Sequence, residues 1–184
     1  MATYFRGHRS DNFKPDIKFA TQAFDEGIPC AWFSKAHEAY EKSFASRYGI
    51  SADTELANIP LGTIEEMFID HYFNFEFNPV ISATTNYWWA WHNACNSGII
   101  FELDIPEEEI AKDNNPGAPF FNLRINSKTR FVTTPKHEES EIITIGRIPA
   151  TYIKGYRIGN SDVFYTKHGS ILKPPEGGKL DRQI

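Results

Sequence analysis

The chain has 184 residues, an aromatic content of 15% and a formal net charge of -5. This length suits one domain with a buried core, and the aromatic content excludes a disordered chain. The negative charge gives no overall attraction to nucleic acid or to anionic membranes, although it is compatible with a local basic patch.

The first half of the sequence is mainly helical in its pattern. A short strand is predicted over residues 3–7, and residues 11–33 are predicted to be irregular because Pro15, Gly27 and Pro29 interrupt them. Cap residues and apolar spacing then predict helices over residues 35–48, 63–73 and 86–94.

The second half is mainly strands. They are predicted over residues 79–82, 98–106, 120–125, 129–134, 141–146, 150–157 and 162–166. A helical turn is predicted over residues 107–112, and a tail rich in proline and glycine follows the last strand. Helices first and strands later, without repeats or a linker, favour an α+β fold in one domain covering residues 1–184.

Two carboxylates lie at the beginning of the strand over residues 141–146. Glu139 and Glu141 are two positions apart, so on a strand they point to the same face. Such a pair can hold a sugar hydroxyl and orient a nucleophile at a glycosidic carbon, where positive charge develops in the transition state. A solvated strand face is the alternative interpretation.

Two further polar positions lie at predicted strand ends. Arg6 precedes Gly7. The guanidinium of an arginine can form bidentate hydrogen bonds with a phosphate, and a glycine lets a ligand approach the backbone. Ser82 precedes the helix over residues 86–94, where its hydroxyl can brace a carboxylate or belong to the helix cap. For Arg6 the alternative is an ordinary surface arginine.

The other reactive residue types form no recognised pattern. The six histidines are dispersed, and Cys30 and Cys95 lack metal-ligand spacing, so no metal site is expected. The tryptophans Trp88, Trp89 and Trp91 are expected to pack in the core. No membrane span or secretory segment is recognisable, so we expect a cytoplasmic protein, or one delivered into a target cell by other machinery.

Together these segments resemble the mono-ADP-ribosyltransferase family, in the branch with an Arg–Ser–Glu triad. The similar segments are, in family order, Tyr4-Phe5-Arg6-Gly7, Pro79-Val80-Ile81-Ser82-Ala83-Thr84, the strand over residues 98–106, and Glu139-Ser140-Glu141. The second segment departs from the family's Ser-Thr-Ser motif after Ser82, and residues 11–59 carry no matching signature. The resemblance implies an ADP-ribosyltransferase-like split β-sandwich with helices mainly from the N-terminal half.

The resemblance also implies an activity: transfer of ADP-ribose from NAD, as a substrate, to a macromolecule with release of nicotinamide. Arg6 would clamp the pyrophosphate side of NAD, and Gly7 would offer backbone contacts to the nicotinamide amide. Glu141 would bind a ribose hydroxyl close to the developing charge, and Ser82 would orient Glu141. Glu139 would serve the acceptor, and a glutamate at this position accompanies arginine acceptors in the family.

The leading expectation is therefore a toxin or effector that modifies protein arginine, with an immunity protein or antitoxin as a further partner. Three alternatives stay open: the same transfer to RNA or DNA bases, a non-catalytic module that binds NAD or ADP-ribose, and a glycoside hydrolase. The last is disfavoured because carboxylates adjacent on one strand face do not straddle a bond at the separations of about 5–9 Å that such enzymes use.

Overall fold

The computed structural model describes residues 2–9, 14–30, 37–51, 54–73, 79–95, 97–112, 125–133 and 141–175. Within these residues the α-helices are α1 (Ile17–Glu26), α2 (His37–Tyr48), α3 (Leu61–Phe73) and α4 (Tyr87–Asn93). Short 3-10 helices cover Leu56–Asn58, Glu107–Glu109 and Ala150–Tyr152.

The strands in the described residues are mostly short. They are β1 (Ala2–His8), β2 (Ile28–Pro29), β3 (Val80–Thr84), β4 (Ile99–Ile105), β5 (Ile110–Ala111), β6 (Phe131–Thr133), β7 (Glu141–Ile145), β8 (Arg147–Ile148), β9 (Ile153–Ile158), β10 (Val163–Thr166) and β11 (Gly169–Leu172). The predicted α+β class is confirmed.

The chain divides into two compact units. Unit 1 comprises Met1–Gly27, Ala83–Ile105 and Pro149–Ile184, and unit 2 comprises Ile28–Ser82 and Pro106–Ile148. Strand β3 therefore contributes its first three residues to unit 2 and its last two to unit 1.

Unit 1 is built on a sheet with the strand order β11-β10-β9-β4-β1-β3. Strands β1 and β4 pair antiparallel at seven positions, from Ala2 opposite Ile105 to His8 opposite Ile99. One face of this pair is covered by α4, where Phe5 joins Tyr87 in a buried cluster. The other face is covered by α1, where the ring of Phe19 stacks on His8 with centroids 3.9 Å apart.

Unit 2 contains the strand order β3-β7-β6-β5 and a separate pair of strands, β2 and β8. Strand β6 is antiparallel to β7 and parallel to β5. Helices α2 and α3 are joined by Asp70, whose carboxylate accepts two hydrogen bonds from Arg47 at 2.6 and 2.7 Å and one from the Tyr48 hydroxyl at 2.8 Å. Burial and this bond to Asp70 raise the pKa of Tyr48.

Helix α1 corrects the prediction that residues 11–33 are irregular. The side chain of Asp16 caps the helix by accepting a hydrogen bond from Phe19 N at 2.9 Å, and Gly27 ends it with φ 79°. Ala20 and Ala23 are buried on one side. Pro15 and Gly27 therefore flank the helix and do not interrupt it, which is where these residues are tolerated.

The C-terminal part of unit 1 corrects two further predictions. Residues 150–152, predicted as the beginning of a strand, form a 3-10 helix after Pro149, and the strand begins at Ile153. Residues 169–172, predicted to belong to an irregular tail, form β11 after the two-residue turn Lys167-His168. The hydroxyl of Thr166 closes this turn by donating to Gly169 O at 3.0 Å.

Most remaining predictions agree with the structure. The helix predicted over residues 63–73 begins two residues earlier, after Pro60, and the first strand extends over Ala2–His8. The helical turn predicted over residues 107–112 is a 3-10 turn followed by β5. Residues 120–124 of the strand predicted over residues 120–125 lie outside the described residues, and Ile125, which is described, is not in a strand. The first two residues of the helix predicted over 35–48 also lie outside them.

Unit 1 buries a carboxylate among several cations. Glu102 in β4 is 2% exposed and accepts bonds from the ammonium of Lys173 to both oxygens, at 2.5 and 2.6 Å. Arg157, also 2% exposed, lies 3.9 Å from Glu102 and donates to the carbonyls of Ser161 and Lys173. Lys154 adds an ion pair to Glu102 at 3.4 Å. Because a buried charge is costly without partners, each member depends on the others.

We predict that Glu102→Gln lowers the free energy of unfolding by about 3 kcal/mol, because it removes the buried negative charge that Arg157 and Lys173 face. The matched control is Glu107→Gln, whose carboxylate pairs with Lys112 at 3.4 Å while 58% exposed. The control should lose less than about 1 kcal/mol. Urea unfolding followed by tryptophan fluorescence measures both, and equal small losses would contradict the importance of the buried network.

Candidate active site

Arg6 lies in the middle of β1, in unit 1. It is partly buried and pairs in register with Phe101 of β4. Because successive residues of a strand alternate between faces, Arg6 shares its face with Tyr4 and His8, the face that α1 covers. Because β1 is paired with β4 along its whole length, the Cα atom of Arg6 has little freedom to move.

Gly7 occupies the opposite face of β1, against α4. A Cβ atom at this position would lie 2.0 Å from Ala90 O and 3.0 Å from Ala94 N. Only glycine therefore allows the C-terminal half of α4 to approach the strand this closely. The sequence suggested a glycine that admits a ligand to the backbone; the structure adds a packing reason for the same residue.

Ser82 lies in β3 and is partly buried, between the buried residues Ile81 and Ala83. One interpretation from the sequence made Ser82 part of the cap of α4. In the structure the cap is Asn86, whose side-chain oxygen accepts from Trp88 N at 3.0 Å, while Thr84 accepts from Asn86 N. The capping function therefore belongs to these two later residues.

Glu141 is the first residue of β7 and is partly buried. Strands β3 and β7 are neighbours in the strand order of unit 2. The N–H of Gly146 donates to Pro79 O at 2.7 Å, so the end of β7 lies beside the start of β3. Two short neighbouring strands in this arrangement run antiparallel, which directs the Glu141 end of β7 towards the Ser82 end of β3.

One pair from the predicted site lies on neighbouring strands. Ser82 and Glu141 lie on neighbouring strands of unit 2, whereas Arg6 and Gly7 lie on β1 of unit 1. Glu139 and the loop before it lie outside the described residues. Taken one by one, a guanidinium can bind phosphate, a carboxylate can bind ribose hydroxyls and a hydroxyl can orient a carboxylate.

The aromatic helix α4 agrees only in part with its prediction. Trp88 and Trp91 pack against the cluster around Phe5, with their rings edge to face at 5.5 Å, but Trp89 is 40% exposed. Tyr87 donates to Gly159 O at 3.0 Å, and burial raises its pKa to about 12. This bond could not be predicted from the sequence, because its two partners are 72 residues apart in the chain.

Within the described ranges no three His, Cys, Asp or Glu side chains come together in the manner of a metal site. No helix in the same ranges is long and apolar enough to cross a bilayer. In this part of the chain Cys30 and Cys95 are not joined by a disulfide; Cys30 is buried and Cys95 is partly exposed.

We predict that Gly7→Ala destabilises the protein by about 1–3 kcal/mol, because the new methyl group overlaps the carbonyl of Ala90. Gly62→Ala in α3 is the control, since its Cβ would meet nothing within 4 Å. The control should be neutral or slightly stabilising, as alanine favours helix. Thermal unfolding measures both variants. A Gly7→Ala protein as stable as the wild type would contradict the close contact.

Comparison with known proteins adds no assignment to this geometry. No model of a protein family matches the chain, and no curated protein matches its sequence.

Proposed function

We propose that this protein is a mono-ADP-ribosyltransferase that uses NAD as its substrate and modifies arginine on a target protein. The observation that carries the proposal is the position of Glu141 at the start of β7, beside the β3 strand that contains Ser82. Ser82 and Glu141 are far apart in the sequence, so the proposed site requires their two strands to be neighbours in the fold. The adjacency of the two strands supports the proposed carboxylate and its orienting hydroxyl.

The strand positions of the other motifs give further support. Arg6 and Gly7 lie within β1, and the segment over residues 98–106 is a buried strand, β4, that pairs with β1. An aromatic helix, α4, lies between β3 and β4 in the chain. The types of these elements and their order along the sequence support the resemblance to the family.

In the proposed reaction the bond between the ribose C1′ atom and the nicotinamide nitrogen breaks, and its electron pair leaves with neutral nicotinamide. A nitrogen of the acceptor guanidinium then bonds to C1′ and gives up a proton. Glu141 would hold a ribose hydroxyl and place its negative charge near the cationic sugar carbon. Arg6 would bind the pyrophosphate, and Ser82 would hold the Glu141 carboxylate in position.

Glu139 is the proposed acceptor residue. A guanidinium is positively charged under physiological conditions, so a carboxylate close to the arriving arginine would attract it and take its proton. The sequence pattern predicts that the side chains of residues 139 and 141 project to one side. The proposal therefore separates two roles, with Glu141 acting on NAD and Glu139 acting on the acceptor.

We predict that Glu141→Gln lowers both transfer and NAD hydrolysis by about 10²-fold, because an amide keeps the shape of the side chain but loses its charge. The control, Glu108→Gln, changes an exposed glutamate of the 3-10 turn and should keep full activity. Nicotinamide release and circular dichroism are measured on the same preparations. A correctly folded Glu141→Gln protein that retains more than about a tenth of the wild-type rate would exclude the proposed role.

We predict that Glu139→Ala loses transfer to the macromolecule but keeps much of the slow hydrolysis of NAD by water. Glu138→Ala, its neighbour in sequence, is the matched control and should leave both rates unchanged. Label incorporation reports transfer, and nicotinamide release reports cleavage. A parallel fall in the two rates would place Glu139 in NAD cleavage or in the fold, and the arginine assignment would lose its support.

The acceptor class is decided by incubating labelled NAD with the protein and a host-cell lysate, and then digesting the product with protease or nuclease. Label that becomes soluble on protease treatment and resists nuclease supports a protein acceptor. Nuclease-sensitive label would move the proposal to RNA or DNA bases. Absence of both labelling and nicotinamide release, under conditions where NAD binds, would support a non-catalytic binding module instead.

A further inference from the structure

Strand β11 is an exposed edge of the unit 1 sheet. It stands at the end of the strand order, paired on one side with β10. All four of its residues are exposed, including Ile171 at 54% and Leu172 at 81%. An edge strand with apolar side chains on both faces is a template for pairing with another strand.

The outward-facing backbone groups of β11 can be identified. Lys173 N donates to Asp162 O at 2.8 Å, so residue 173 faces the β10 side. Alternate residues of a strand direct their N–H and C=O groups to the same neighbour. Gly169 and Ile171 therefore face β10, whereas Ser170 and Leu172 direct both their N–H and C=O groups outward.

The usual protections of an edge strand are missing from these four residues. Gly169–Leu172 contains no charged residue and no proline, and its pairing with β10 is regular at all four positions. The ends of the strand are fixed by the Thr166 bond to Gly169 O and by the Lys173 contacts to Glu102. An ordered, uncharged edge is thus presented to solvent.

We propose that β11 pairs with β11 of a second copy of this chain, antiparallel about a two-fold axis at Ile171. In this register Ser170 of each copy is opposite Leu172 of the other, so all outward groups of both strands form hydrogen bonds. Ile171 faces its own counterpart in a non-hydrogen-bonded pair, where opposing side chains are closest. A two-fold contact of this kind is self-complementary and closes at two copies.

Charge does not oppose this pairing. The lysines that flank β11 are already bound to carboxylates of their own unit, Lys167 to Asp25 at 2.7 Å and Lys173 to Glu102. In the proposed register Gly169 is opposite Lys173 of the second copy, and therefore no two like charges are opposite each other. A strand this short makes a small contact, below the size of stable interfaces, so the dimer is weak and concentration-dependent.

The test places charged residues of either sign at position 171, on the two-fold axis, and measures association by sedimentation velocity over a wide range of protein concentration. The wild type should associate reversibly to a dimer at high concentration. Ile171→Lys and Ile171→Glu should each weaken association about tenfold, because like charges would then face each other. An equal mixture of the two variants should restore association, since residue 171 faces residue 171 only in this register.

Two controls separate strand pairing from nonspecific hydrophobic association. Ile69→Ser removes an apolar side chain of α3 that is 47% exposed, and it should leave the dimer intact. Leu172→Pro removes an outward N–H and should abolish the dimer, while Leu172→Thr, which keeps the N–H, should weaken it less. A wild type that stays monomeric at the highest concentration, or a variant mixture that fails to recover, overturns the proposal.

Discussion

The antiparallel pairing of β1 with β4 is the constraint on which unit 1 depends. Seven consecutive registered positions determine which side chains of β1 face α1 and which face α4. A slip of one residue would place Arg6 against α4 and direct the Cβ of a non-glycine residue into the carbonyl of Ala90. The small size of Gly7 therefore helps to fix the register together with the hydrogen bonds, because a side chain at this position would overlap α4.

The same register places the charged side chains of unit 1 on two different faces of its sheet. The ion network of Glu102 and Arg157 lies on the α4 side of the sheet, where the ring of Phe164 lies under the guanidinium of Arg157 at 5.2 Å. Arg6 lies on the other side, beside Phe101 and His8. Two arginines of one small sheet thus have different tasks: Arg157 satisfies a buried carboxylate, while Arg6 is the one that the proposed reaction employs.

Parts of the fold and of the candidate site could be predicted from sequence, because short-range signals determine them. Strand β4 is a run of branched and aromatic residues, and α4 follows a polar cap segment, so both were recognised. Helix α1 was missed because Pro15 and Gly27 were interpreted as breakers, although flanking positions suit them well. The network of Glu102 with Lys173 could not be predicted, since its partners are separated by 71 residues and meet only when β10 and β11 fold back.

Position 173 links the edge of the unit 1 sheet to its interior. Its backbone N–H and C=O bond Asp162 and Arg157, and its ammonium reaches the buried Glu102. Local opening of β11 would therefore separate the Lys173 ammonium from the buried Glu102 carboxylate. Because an unpaired buried charge is unfavourable, this opening should require more free energy than the opening of an ordinary edge strand. The amide hydrogens of Ile171 and Lys173, which face β10, should consequently exchange with solvent more slowly than the exposure of the strand suggests. A chain cut after Leu172 would lose the Lys173 contacts and, with them, stability in the interior of the unit.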